Sequence, residues 1–201
     1  MSSYPYIYNT VTGAIENGIQ FLFISKGEVN IVKAVRYVYA LDFRGRPVYN
    51  LAFGDYDLQT GTLFDDQTSN NGDAYHVFRT VLATVPQFFL SYPDAMLMVW
   101  GSDSTKKYQE NCRRSCKKNC TTDICKNAHR RITIYRNYIN KNLTELSTDY
   151  KFYGGSMNNE NQIVVEDYKK NRQYPAIIIR KKRRKKQLPL DTHTLTRNNL
   201  S

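Results

Sequence analysis

Val29 to Leu41 reads VNIVKAVRYVYAL. β-Branched and aromatic residues dominate it, and these suit the pleated, half-buried surface of a strand. Successive side chains of a strand point to opposite faces. Val29, Ile31, Lys33, Val35, Tyr37 and Tyr39 therefore share one face, and Asn30, Val32, Ala34, Arg36, Val38 and Ala40 the other. Turn signals bracket the stretch, Lys26-Gly27 before it and Arg44-Gly45-Arg46-Pro47 after it. Beyond those turns, Ile19–Ser25 (IQFLFIS) and Pro47–Gly54 (PVYNLAFG) have the same strand character. Connections this short permit only hairpins, so the first half is expected to be an antiparallel meander. YPYIY near the N-terminus alternates around Pro5, which suits an edge strand.

Downstream, Gly54 to Gly72 is polar and turn-rich and is expected to be a long surface loop. Asn71-Gly72-Asp73 then opens a helix, with Asp73 as N-cap and Val77, Val81, Thr84/Val85, Phe88 and Phe89 at helical spacing. Pro86 is expected to kink or divide that helix. Tyr92-Pro93-Asp94 ends it, and AMLMVW (Ala95–Trp100) reads as a buried strand. A second main helix is expected from a Thr121-Thr122-Asp123 cap. Ile124, Ala128, Ile132, Tyr135, Ile139 and Leu143 form its apolar stripe, opposite Lys126, Arg130, Arg136 and Lys141. KFYGG, QIVVEDY and YPAIIIR complete the pattern as strands. Together these elements predict an α+β domain over residues 1–182, an antiparallel sheet covered on one face by two helices, followed by a polar tail over 183–201.

The chain has 201 residues and is 41% hydrophobic, enough to bury a core. Sixteen tyrosines fit half-buried strands that keep the hydroxyl at an edge. Its net charge of +11 is local in origin. Lys106–Arg131 carries nine Lys/Arg against two acids, and Arg180–Lys186 is RKKRRKK, so everything else is mildly acidic. Such patches attract phosphate backbones or acidic partners. The N-terminus lacks a basic segment leading into an apolar one, and AMLMVW is the longest apolar run, far short of a bilayer span. These features point to an intracellular, cytoplasmic protein with reduced thiols.

The set FLFISKG, YNLAFGD (Tyr49–Asp55), Asn70-Asn71-Gly72-Asp73, VLATV, Tyr92-Pro93-Asp94, Gly101-Ser102, Arg131 with Tyr135-Arg136, YKFYGG, VVEDY and YPAIIIRKK resembles a family of small bacterial proteins known only as a domain of unknown function. The resemblance covers roughly residues 4 to 182. It implies a compact intracellular α+β domain and assigns no activity, cofactor or catalytic residue. Against that pattern, 103–130 is an insertion, expected to be a basic, cysteine-rich helical hairpin, and RKKRRKK is longer than usual.

The insertion holds every cysteine, spaced Cys112-x3-Cys116-x3-Cys120-x4-Cys125-x3-His129. On one helix Cys112, Cys116 and Cys120 would spread over about 80° of its circumference, and Cys125 and His129 would return on a second helix. Zinc is the ion such a set would take. Reduced thiols without metal, and disulfides, are the other two states this spacing allows. Arg113, Arg114, Lys117, Lys118, Arg130 and Arg131 form one candidate nucleic-acid surface. Arg180, Lys181, Lys182, Arg183, Arg184, Lys185 and Lys186 form another. No recognition motif accompanies them, so contact would be with phosphates. The sequence favours a non-enzymatic binding or regulatory protein that contacts nucleic acid or an acidic partner. The alternative is a small toxin-like or nuclease-like enzyme using Asp55, Asp57, Asp65, Asp66 and Asp73 around the long loop, together with Arg131. If the scaffold itself has a site, Arg131 and Tyr135 near Gly101-Ser102 and the Gly54-Asp55 strand end are where it is expected.

Overall fold

A computed structural model describes residues 6–64, 71–101, 103, 105–115, 118, 120, 125–157 and 163–183. The chain forms an α+β domain. Strands β1 (Val11–Ile15), β2 (Gly18–Lys26), β3 (Asn30–Phe43) and β4 (Arg46–Tyr56) make the expected antiparallel meander, and a short β5 (Leu63–Phe64) folds back on β4. Helix α1 (Ala74–Ser91) leads to β6 (Met96–Trp100). Helix α2 (Lys106–Ser115) precedes α3 (Arg130–Asp149), and β7 (Tyr150–Met157), β8 (Ile163–Asp167) and β9 (Ala176–Lys181) close the fold. The strand order is β1-β2-β3-β4-β6-β9-β7-β8. One pairing departs from the antiparallel rule: β6 runs parallel to β4. A helix joins those two strands, and a helical crossover returns the chain in the direction it left.

The YPYIY segment is not the edge strand. Residues 6–10 carry no strand, and the Tyr8 N–H donates to Thr80 Oγ1 on α1 at 2.9 Å. The edge is β1, turned at Glu16-Asn17 with Ile15 opposite Gly18 and Asn17 left-handed at φ 59°. Asn tolerates that conformation better than most residues, so the Asn17-Gly18 pair was the hairpin signal to read.

The predicted faces of β3 hold. Val35 and Tyr37 are fully buried and pack with Phe21, Phe23, Leu51, Leu97 and Ile177 beneath α1 and α3. The helices contribute Val77, Val81, Phe88, Phe89, Ile132 and Ile139 to that core. Helix α1 runs unbroken through Pro86. The missing N–H costs about 3 kcal/mol. Burying Phe88 and Phe89 just beyond it returns about 1.5–3 kcal/mol each, so packing keeps the helix whole.

The second main helix starts later than its sequence pattern suggests. Residues 126–129 form a turn, His129 stands in a left-handed conformation at φ 61°, and α3 begins at Arg130. Asp103 Oδ2 accepts the Arg131 N–H at 2.9 Å, so a carboxylate from across the insertion caps the helix. Arg136 is not on a solvated face. It is buried and donates to the Tyr174 carbonyl and to Thr133 Oγ1. Thr121 to Ile124 and the tail beyond Arg183 lie outside the described residues.

Candidate functional site

The fold sorts its chain ends into two poles. The C-terminal ends of the parallel strands β4 and β6 lie at one pole, with the N-termini of α1 and α3, the β2–β3 turn and the described residues of segment 103–130, the segment expected as an insertion. At the other pole α3 ends, and Lys182 donates through its N–H to Asp149 O and through Nζ to Ser147 O. Helix α3, 20 residues long with a kink at Asn142, runs from one pole to the other. The described basic residues of segment 103–130 and the described start of the tail run, Arg180 to Arg183, therefore lie at opposite ends of α3.

The described part of the tail run is engaged by the protein itself. Arg183 Nη2 meets Asp94 Oδ1 at 2.6 Å and holds that carboxyl below the usual range, with Arg46 contributing. Arg180 and Lys181 are half-buried in β9. Arg184, Lys185 and Lys186 lie outside the described residues.

The insertion pole differs. Arg113 and Arg114 are exposed in the last turn of α2, and Lys118 and Arg130 are exposed further along. Arg114, Lys118 and Arg130 form no ion pair with any described carboxylate. Arg131 is half-buried, and Nη1 donates to the Phe53 carbonyl at 3.2 Å. That bond joins the start of α3 to the Gly54-Asp55 strand end, so the two places where a site was expected are one place. Tyr135 sits one turn further on. Burial pushes its phenol up to about 12 despite the nearby Arg131, so it is neutral at any physiological pH. Lys117 lies outside the described residues.

Beneath this surface lies a buried polar knot. Lys33 and Asp55 face each other in register on β3 and β4 and form an ion pair at 2.5 Å, with Lys33 4% exposed. Asp73 occupies the N-cap position of α1, but its side chain makes no cap hydrogen bond. Its Oδ2 accepts instead from Tyr8 Oη at 2.7 Å and Ser25 Oγ at 2.6 Å. Burial alone would raise the Asp73 carboxyl; the bonds from Ser25 and Tyr8 and the charge of Lys33 outweigh it and hold it below the usual range. Asn71 completes the knot. It donates to Ser25 Oγ and Val29 O and accepts the Val29 N–H. Its carbonyl also takes the Glu28 N–H at 3.1 Å. Gly27 permits that approach, since a Cβ there would stand 1.6 Å from Asn71 O. The sequence pieces FLFISKG and NNGD are thus two halves of one joint. The knot was missed in sequence because Ser25, Asn71 and Asp73 each read as ordinary turn or cap residues.

The carboxylates proposed for metal-dependent hydrolysis do not converge. Asp55 is committed to Lys33 and Asp73 to Tyr8 and Ser25, while Asp57 Oδ1 accepts the backbone N–H groups of Gln59 and Thr60 in its own turn. Asp65 and Asp66 lie outside the described residues. Among the described residues no three His, Cys, Asp or Glu form a group suited to a metal ion.

Two of the candidate metal ligands do meet. Cys112 on α2 and Cys125 before α3 have Sγ atoms 3.0 Å apart, and Cys125 is 1% exposed. Cys120 Sγ accepts the Lys126 N–H at 3.3 Å, next to them in sequence. Cys116 lies outside the described residues. Cys125 and His129 do not share a helical turn, because 126–129 is a turn preceding α3.

These features define an α+β domain with one βαβ unit inside a largely antiparallel sheet, polar at the carboxyl ends of its parallel strands. The chain belongs to a family of unknown function, DUF6934, whose model matches residues 4–122. The match takes in the knot, α1, β6 and residues 103–122 of the basic, cysteine-rich segment; the pieces of the resemblance from Arg131 onward lie beyond it. No curated protein matches the chain, and no solved structure does. No helix among the described residues is long and apolar enough to cross a membrane.

Proposed function

We propose that this chain is a non-enzymatic binding protein that takes a polyanion, nucleic acid in the first place, on its insertion pole. One observation carries the reading: Arg114, Lys118 and Arg130 are exposed at one pole and pair with no carboxylate among the described residues, with Arg113 beside them. Unpaired surface cations cost the fold nothing to leave in water, and they gain when they displace counterions from a phosphate chain. The tail supports the reading less, because Lys182 and Arg183 are spent on the protein's own carbonyls and Asp94. An acidic protein partner would use the same cations and is the second outcome of the test.

The test is fluorescence anisotropy of labelled duplex DNA, single-stranded RNA and polyglutamate, titrated with the full chain over a series of salt concentrations. Three phosphate contacts predict a slope of log affinity against log salt of about −2.7 on duplex DNA. The triple variant Arg114→Glu, Lys118→Glu, Arg130→Glu should abolish binding, and the pair Lys182→Glu, Arg183→Glu should change it far less. Polyglutamate bound more tightly than either nucleic acid selects the acidic partner. Binding that ignores salt, or that survives the triple variant, overturns the proposal.

A further inference from the structure

Cys112 and Cys125 come from different segments, the end of α2 and the approach to α3, yet their Sγ atoms stand 3.0 Å apart. That is closer than two sulfur atoms rest in ordinary contact and farther than the ~2.05 Å of a disulfide. Closing the gap to bonding distance needs a movement of about an ångström. Asn127 spans the pair. Its Nδ2 approaches Cys112 Sγ and its backbone N–H approaches Cys125 Sγ, each at 3.4 Å. Both are donors, which favour the thiolate over the thiol. Cys112 is half-buried and Cys125 buried, so an oxidant in solution reaches Cys112 first.

We propose that Cys112 and Cys125 are a redox-active dithiol, oxidised by hydroperoxides to an intramolecular disulfide that ties α2 to the start of α3. The Cys112 thiolate attacks a peroxide oxygen, the O–O bond breaks, and water or an alcohol leaves after taking up a proton. The resulting sulfenic acid is then attacked by Cys125 sulfur. The S–O bond breaks, the S–S bond forms, and the hydroxyl leaves as water with the Cys125 proton. The dithiol is oxidised by two electrons and the peroxide reduced by two. This inference is independent of the polyanion reading, since it concerns only the pair.

The test uses the full chain, reduced and freed of reductant, treated with one equivalent of hydrogen peroxide. Remaining thiols are then alkylated and the peptides mapped by mass spectrometry. The expected product is a Cys112–Cys125 cross-linked peptide, formed at least about tenfold faster in the folded chain than in urea, because the fold holds the sulfurs together. Cys116→Ser and Cys120→Ser should retain the link. Cys112→Ser should leave Cys125 reduced; circular dichroism checks that this variant folds. The proposal is overturned if another pair cross-links in preference, if urea does not slow the reaction, or if native mass spectrometry finds the thiols of the purified chain occupied by a metal ion that blocks oxidation.

Discussion

Asp73→Ala is the sharpest probe of the joint between α1 and the sheet. The substitution removes the acceptor for Tyr8 Oη and Ser25 Oγ, and Ser25 is 0% exposed, so water cannot replace it. Each hydrogen bond to a charged group is worth about 1.5–3 kcal/mol. The lost negative charge at the N-terminus of α1 adds about 0.3–1 kcal/mol. The expected loss is about 3–5 kcal/mol, counting Tyr8 at the lower end because its phenol also accepts the Lys26 N–H. At about 2–4 °C per kcal/mol for a chain of this size, the melting temperature should fall by roughly 10 °C. The pH dependence has a definite sign. The Asp73 carboxyl is held below its ordinary value in the folded chain. Between the two values the unfolded chain binds more protons, so stability falls with falling pH. The contribution is fully present above the ordinary value of about 3.9 and is lost as pH drops through the depressed one. Urea unfolding of wild type and variant at pH 7 and across the acid range reads both effects. A cost under about 1 kcal/mol, or a gap between the two proteins that does not narrow in acid, would refute the reasoning.

Other perturbations test other parts of the fold. Gly27→Ala forces a Cβ to 1.6 Å from Asn71 O and should cost about 1–3 kcal/mol by prying the β2–β3 turn from α1, read by thermal melting. Asp55→Ala takes the paired carboxylate from buried Lys33 and should cost about 3–5 kcal/mol, whereas Lys33→Met with Asp55→Leu should cost far less; urea titrations separate the two. Asp103→Ala removes the cap of α3 and should cost about 1 kcal/mol, with the loss of amide protection confined to Arg131 and its neighbours in hydrogen exchange.

Most of the sheet was legible because its signals are local. The alternation of Val35 and Tyr37 against Ala34 and Arg36 separated the two faces of β3, and Lys26-Gly27 and Arg44-Gly45 identified its turns. What failed was set by distant partners. The start of α3 is fixed by Asp103, 27 residues before Arg130, and no window around Thr121-Thr122-Asp123 contains that information. Arg136 looked solvated because its helical position lies off the apolar stripe, yet Tyr174 brings a carbonyl to it from the strand side. The basic runs read as similar in charge. Only the fold shows that the described start of the tail run answers to Asp94 and Ser147 at the far end of α3. The knot of Tyr8, Ser25, Asn71 and Asp73 joins three segments that are each unremarkable alone.

The central claim is that the insertion pole, and not the tail, is the polyanion surface. The most direct measurement is the salt dependence of duplex DNA binding by wild type and by the Arg114→Glu, Lys118→Glu, Arg130→Glu variant, with the Lys182→Glu, Arg183→Glu variant as comparison. The account predicts a slope of about −2.7 for wild type, no measurable binding by the triple variant and a near-wild-type slope for the tail variant. Loss of binding in the tail variant with retention in the triple variant would contradict it.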